Sequence, residues 1–323
     1  LTENQFTTLF KALQSYYDIH PQCEIAIEID PRVNTNTFLD MLQQLGFNRI
    51  SMGIQDFDPK VQKAINRIQP FESILLLQKE LKTRQFNAIN MDLIYGLPHQ
   101  TTHSFKATIE KIITLKPNRI ALYGYAHVPW LKSHQRLIKE KTLPSPEEKL
   151  NIFIQSSNLL TQNGYNAIAM DHFALDDDEL STAYKTGNLY RNFMGYTTQP
   201  AKEYIGLGTT SIGFLSNTFI QNTDDLKHYY NCLDNQELPI QKGLNLSFDD
   251  QLRQHIILAL MCHYQLNIKE TEASFNIHFE TYFSSSMPHI KQCIKDKLIT
   301  MENKEIKATA LGKLFIRNIC LGF

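Results

Sequence analysis

Glu28, Gln55, Asp92, His127 and Asp171 share one place in the sequence pattern: each stands at the end of a short apolar run that reads as a strand. Carboxylates, an amide and an imidazole gathered at strand ends can bond hydroxyls, hold an ammonium group or move a proton. Asp92 shows the pattern best. It follows Ile89 and Met91 and precedes Leu93 and Ile94, and Gly96 with Pro98 then stops the run, so an acid occupies the last half of a strand that enters a loop. In parallel barrels that end is where chemistry is done. An acid there also has a plainer use, capping the next loop by accepting from backbone N–H groups.

The elements that must position these residues alternate. Helical spacing of apolar residues predicts helices over 5–17, 35–45, 71–83, 101–115, 131–141 and 145–163, with a short one from Asp58-Pro59 towards Arg67. Strands are expected over 23–29, 49–54, 88–94, 119–125 and 166–170, the last leaving through Asp171-His172-Phe173. Strand, helix, strand, helix with short turns is the pattern of a parallel sheet covered by helices. Residues 1–175 therefore read as a partial (β/α) barrel. Residues 176–246 read as an irregular segment, in which Gly187–Gln199 and Gly206–Gly213 are rich in glycine, hydroxyls and aromatics without a period. A plain loop is the simpler account of such glycines; close backbone approach to an anion is the other. From 247 to 323 the style changes to helices near 248–264, 267–276 and 279–297, then a hairpin around Glu302-Asn303-Lys304, which is a winged-helix-like pattern.

Composition narrows the function classes. The 323 residues carry 32 Lys and Arg against 33 Asp and Glu, so the basic excess of a nucleic-acid binder is missing. No apolar run reaches membrane-spanning length, and a soluble, cytoplasmic monomer is the expectation. The five cysteines, Cys23, Cys232, Cys262, Cys293 and Cys320, lie far apart, so neither a disulfide framework nor a metal site is expected from their spacing.

Taken together, Ile27-Glu28-Ile29-Asp30-Pro31-Arg32, Ser51-Met52-Gly53-Ile54-Gln55-Asp56-Phe57, Asp92-Leu93-Ile94-Tyr95-Gly96-Leu97-Pro98, Tyr125-Ala126-His127 and Met170-Asp171-His172-Phe173-Ala174 resemble one family. It is the oxygen-independent coproporphyrinogen III oxidases, also called coproporphyrinogen dehydrogenases, of the radical S-adenosylmethionine enzymes. The likeness extends to 195–199 and Arg317-Asn318-Ile319-Cys320. It implies a radical-SAM barrel and an anaerobic step of haem synthesis, in which two propionates of coproporphyrinogen III become vinyl groups, giving protoporphyrinogen IX and carbon dioxide. The resemblance further implies a 4Fe-4S cluster, S-adenosylmethionine as source of the adenosyl radical that takes a hydrogen from the propionate, and an unidentified electron acceptor. Contacts to S-adenosylmethionine carry over to Glu28, Gln55, Arg67, Asp92, Ala126 and Ile212. Arg67 could fork onto a carboxylate, whereas Ala126 and Ile212 offer only backbone and apolar contact. Without the family, Arg67 reads as a surface base at a helix end.

A substrate with four propionates calls for cations. Arg191 is the first candidate, with His127 or His172 as further donors. Two departures from the family stand out. The three-cysteine CxxxCxxC motif is absent, so the chain, which begins at Leu1, reads as the carboxyl-terminal portion of a longer enzyme, inactive without its cluster. Met194 and Tyr190 replace an expected glutamine and histidine, and a thioether cannot make an amide's hydrogen bonds. Two other functions fit parts of the pattern: a haem-binding or haem-delivery protein of the same superfamily, and a barrel enzyme using Glu28 and Asp92 as an acid–base pair.

Overall fold

Strand alternation sorts the first sheet into an apolar face and a polar one in the computed structural model, which describes residues 2–86 and 88–323. Strands β1 (Ala26–Ile29), β2 (Arg49–Gln55), β3 (Ala88–Tyr95) and β4 (Arg119–Gly124) run parallel in that order. Next, β5 (Tyr165–Ala169) and β6 (His172–Leu175) form a hairpin whose second strand lies antiparallel against β4. Ile50, Met52 and Ile54 of β2 and Ile89, Met91 and Leu93 of β3 point to one side and are buried. Helix α1 (Glu3–Tyr16) precedes β1, and helices α2 (Asn36–Gln44), α3 (Pro59–Ala64), α4 (Phe71–Thr83), α5 (Thr102–Leu115) and α6 (Pro146–Gln162) connect the strands. Leu39 and Leu42, Ile74 and Leu81, Phe105 and Ile109, and Ile152 and Leu160 bring four of these helices into that core. Burial of each such side chain is worth about 1.5–3 kcal/mol, which fixes which face of each strand turns inward.

The other face keeps Ser51, Asn90 and Asp92, each only partly covered. Register places Gly53 beside Asp92, Asp92 beside Ala121 and Ala121 beside His172, so one row crosses four strands. A bulge then interrupts β2. Ile54 is the extra residue between the Gly53–Asp92 and Gln55–Leu93 pairs, and Gln55 takes φ +67°.

Asp56, fully buried, secures that bulge. Its carboxylate accepts from Thr108 Oγ1 at 2.5 Å, Gln100 Nε2 at 2.6 Å and the Asp58 N–H at 2.9 Å. Gln100 also donates to the Ile94 carbonyl and accepts from the Leu97 N–H, so one carboxylate couples the exits of β2 and β3 to α5. Burial raises the Asp56 pKa, and the Thr108, Asp58 and Gln100 bonds oppose that rise.

Several sequence expectations need correction. Strand β1 is shorter than 23–29, because the Ile25 N–H is taken by the Asn48 side chain before the ladder begins. The expected helix at 131–141 is two short 3₁₀ turns, Ser133–Leu137 and Glu140–Thr142; the Gln135 side chain bonds Ala126 and Val128 instead of facing outward. The fifth strand does not exit towards a helix: Met170, at φ +47°, turns it back into β6. Alternation could not announce this, since Phe173 and Ala174 are both buried.

The contact pattern divides the chain after Ser181, within α7 (Glu179–Thr186). In the second unit the stretch read as irregular contains a hairpin, β7 (Tyr190–Asn192) with β8 (Gly195–Thr197). It also holds β9 (Ile212–Leu215), β10 (Thr218–Asn222) and β11 (Ile240–Asn245), with α8 (Leu226–Asp234) before β11. After these come α9 (Phe248–His263), β12 (Gln265–Asn267), α10 (Ile268–Phe275), α11 (Phe279–Tyr282) and α12 (Met287–Lys295). The single helix expected over 279–297 breaks at the serines before Met287-Pro288. The hairpin at Asn303 and Lys304 forms as expected, both residues having positive φ between β13 (Ile299–Glu302) and β14 (Glu305–Ala308). Among the described residues no helix is long and apolar enough to cross a membrane.

Asp56→Asn would turn an N–H₂ group towards the N–H₂ donor of Gln100 or the hydroxyl donor of Thr108. It is expected to lower stability to chemical denaturation by about 1–3 kcal/mol, as a buried donor left unpaired costs. An unchanged midpoint would show that this carboxylate does not hold the strand exits.

Candidate S-adenosylmethionine site

Four of the candidate residues come together on the polar face of the sheet. Glu28 pairs in register with Ser51 and Ser51 with Asn90, so these three point to the same side as Asp92, two residues further along β3. The Asn90 amide donates to Asp92 Oδ1 at 2.7 Å and to Ser51 Oγ at 2.9 Å, which fixes the rotamer of the carboxylate. Burial pushes the Asp92 pKa up. The Asn90 bond opposes this, nearby Glu28 adds to it, and His172 and Ser51 pull the other way.

Gln55 and Arg67 converge over Gly53. A Cβ on Gly53 would lie 2.5 Å from Gln55 Nε2 and 3.3 Å from Arg67 Nη2, so only glycine leaves both side chains where they are. Arg67 Nη2 donates to the Gly53 carbonyl at 2.9 Å, and Gln69 Nε2 reaches the Gly53 and Ile54 carbonyls at 3.2 and 2.7 Å. The chain after α3 has folded back, so Arg67 is partly buried and not the surface base of a helix end. Burial lowers its pKa, with Asp30, 3.7 Å away, opposing. The Arg32 fork holds the Asp30 carboxyl down at about 2.

Among the described residues three side-chain atoms at this rim are unsatisfied, Gln69 Oε1 being one of them. Gln55 Oε1 and Arg67 Nε are buried without a hydrogen-bond partner. Buried polar groups in native proteins are paired as a rule, so a bare amide oxygen and a bare guanidinium N–H on the same polar face call for a ligand with both donors and an anion.

Of the remaining candidates, His172 ends the row that carries Asp92, and the others lie off that row. Ala126 is exposed just beyond β4 and its carbonyl accepts from Gln135 Nε2 at 3.0 Å. His127 meets the Tyr125 hydroxyl at 3.0 Å and Glu140 at 3.6 Å. His172 holds Asp171 at 2.8 Å and packs edge-on to Tyr123. Ile212 opens β9 and Arg191 belongs to β7, both in the second unit.

Sequence reasoning missed Ser51, Asn90 and Lys149. The first two were findable, because Asn90 and Asp92 alternate with Ile89, Met91 and Leu93. Lys149 carried no signal: it sits on a helix, yet its Nζ donates to the Tyr125 carbonyl at 2.5 Å and its stem packs on Gly96, φ +87°. Burial lowers its pKa.

Comparison with known proteins agrees with the geometry. Residues 4–112 match the family model described as the Radical SAM superfamily. The oxygen-independent coproporphyrinogen III oxidase of Escherichia coli K12 is 41% identical over 323 residues, covering 100% of this chain and 71% of that protein. Its counterpart from Synechocystis is 42% identical over 327 residues and is covered to 70%. This chain belongs to the oxygen-independent coproporphyrinogen III oxidases. The solved structure of the Escherichia coli coproporphyrinogen III oxidase, described as a radical SAM enzyme, superposes with a TM-score of 0.97 at 40% identity, covering 100% of this chain and 74% of that one.

Members of this family use S-adenosylmethionine and a 4Fe-4S cluster, and the two fare differently against the residues present. The unpartnered Gln55 and Arg67 atoms, with Glu28 and Asp92 beside them, suit the hydroxyls, ammonium and carboxylate of S-adenosylmethionine. For the cluster the residues do not fit. No group of three or more Cys, His, Asp or Glu among the described residues could hold a metal, and burial raises the pKa of Cys262, Cys293 and Cys320, against the thiolate that iron needs.

If ionised Asp92 bonds the ligand, affinity for S-adenosylmethionine should fall as pH drops through a value above the ordinary aspartate range, because its pKa is raised. Titration calorimetry on the chain should show this, and Asp92→Asn should bind about 10-fold more weakly with that acid limb gone. An identical pH profile in the variant would remove Asp92 from the site.

Proposed function

We propose that this chain forms the S-adenosylmethionine-binding part of an enzyme that oxidatively decarboxylates two propionates of coproporphyrinogen III to vinyl groups, giving protoporphyrinogen IX in anaerobic haem synthesis. The observation that carries the proposal is the pair of unpartnered atoms on Gln55 and Arg67 above Gly53, in a chain about 40% identical to these oxidases over its whole length. S-adenosylmethionine, when bound, supplies the reagent that removes a substrate hydrogen. Glu28 and Asp92 accept from its hydroxyl or ammonium donors, Gln55 Oε1 accepts from a further donor, and Arg67 holds its carboxylate. Ala126 and Ile212 add backbone and apolar contact. Arg191, His127 and His172 serve the substrate, whose carboxylates need cations or donors.

The relatives reported above are named as oxidases and not as haem carriers, which supports catalysis over haem delivery. The five unpaired cysteines support a reducing, cytoplasmic setting, and the balanced charge supports a role without nucleic acid. The enzyme works as a monomer and passes electrons to a separate acceptor. Its cluster must come from thiolates other than these five cysteines, so this chain alone should bind S-adenosylmethionine without turnover.

The test is anaerobic conversion of coproporphyrinogen III, followed by the fluorescence of the oxidised product. The chain joined to a segment bearing a CxxxCxxC motif and reconstituted with iron and sulfide should form protoporphyrinogen IX. Glu28→Gln, Gln55→Ala and Arg67→Met should each lower kcat/KM at least about 10-fold, the size expected for lost charge-assisted bonds. Product from the unextended chain, or none from the reconstituted one, would reject the proposal.

A further inference from the structure

Two cavities of about 400 and 420 Å³ lie side by side in the second unit. Both fall within the ordinary range for small-molecule pockets, about 300–1,000 Å³. They share Arg191 and Lys202 on their common wall, and no carboxylate lines either of them among the described residues. One is walled by Leu189, Cys262 and two histidines; the other is walled by Phe193, Tyr204, Phe214 and Phe219. The site is thus two cations without counter-charge beside an aromatic slot.

Each part is held in place by the fold. Arg191 pairs in register with Tyr196 across the β7–β8 hairpin, and its guanidinium lies 5.6 Å over the Tyr196 ring. Tyr196 is itself anchored by its hydroxyl on the Met261 carbonyl at 3.2 Å. The guanidinium is therefore pre-aimed, and its Nε is buried without a partner. Phe214 and Phe219 face each other across β9 and β10 with ring centres 4.5 Å apart, and Phe193 meets Phe219 at 5.3 Å. Nothing nearby competes as an anion, because burial pushes the Cys262 thiol up to about 12. Burial lowers the pKa of His255 and His263, which favours their neutral forms.

We propose that Arg191 and Lys202 anchor a carboxylate arm that the reaction leaves intact, while the five-membered ring bearing it rests on Phe193, Phe214 and Phe219. This deepens the porphyrinogen reading of the preceding subsection and rests on it. Four propionates enter and two leave as vinyl groups, so two must be held without being lost. A carboxylate between two cations is stabilised as an anion, and losing it as carbon dioxide would strand both cations, so such a site suits a retained arm.

The test is direct binding, by fluorescence quenching of the full chain with three stable probes: coproporphyrin III, protoporphyrin IX and coproporphyrin tetramethyl ester. Arg191→Met and Lys202→Met should each weaken both free acids about 10- to 100-fold, the loss expected for a charge-assisted bond, and should leave the ester unmoved. Arg191→Lys should recover part of the loss. Lys202 is exposed, so its variant reports even where Arg191→Met fails to fold. Unchanged affinity in the variants, an ester that binds as tightly as the acid, or no binding of either acid by the parent chain would overturn the anchor. A loss confined to coproporphyrin III would overturn its assignment to a retained arm. None of these readings needs turnover, so the anchor can stand with the decarboxylation proposal rejected, or fall with it intact.

Discussion

A buried carboxylate that accepts three hydrogen bonds governs how the strand ends of the first unit are presented. Asp56 takes Thr108 from α5, Gln100 from the loop after β3, and the backbone of the turn into α3. Without those bonds the group would carry a large desolvation cost, so the three elements must meet in one arrangement. That arrangement sets the bulge at Ile54 and the left-handed backbone of Gln55, and it brings the Gln62 and Gln69 amides round the same turn. Gln69 then grips the carbonyls of Gly53 and Ile54. The polar rim is therefore built on an acid that does not itself face the ligand.

Around Asp92 the design is one of small neighbours. Gly53 on one side and Ala121 on the other leave room over the carboxylate, and Asn90 and Ser51 hold it from below in the sequence of the strand. The opposite end of β4 is treated differently. Arg119, 5% exposed, pairs with buried Asp178 at 3.0 Å and with exposed Glu179 at 2.6 Å, which ties the start of α7 to the start of β4.

Much of this was readable in the residues. Apolar spacing placed α4 at 71–83 and the parallel strands within a few residues, since one buried face must recur at the period of its element. The ordered motifs pointed to the family over the whole length. The failures have local causes. Gln135 turns inward to bond Ala126 and Val128 and so dismantles the helix expected at 131–141, while Met170 turns the chain leaving β5 straight into β6, a strand the apolar pattern did not mark. In 176–246 the strands are only three to six residues long, too short for alternation to mark them, and β10 also pairs with β11 across α8.

What the sequence determined by itself was the parallel strands of the first unit, most of the helices between them and the end of the sheet at which the acids emerge, because periodicity and turn residues act over a few neighbours. What only the tertiary structure decided was which polar atoms remain without partners. Gln55 Oε1, Arg67 Nε and Arg191 Nε become identifiable as candidate binding groups only once the chain has folded and most polar atoms have found their bonds. Hydrogen-bond satisfaction is a property of the assembled chain, since the partners of Asp56 alone come from positions 58, 100 and 108.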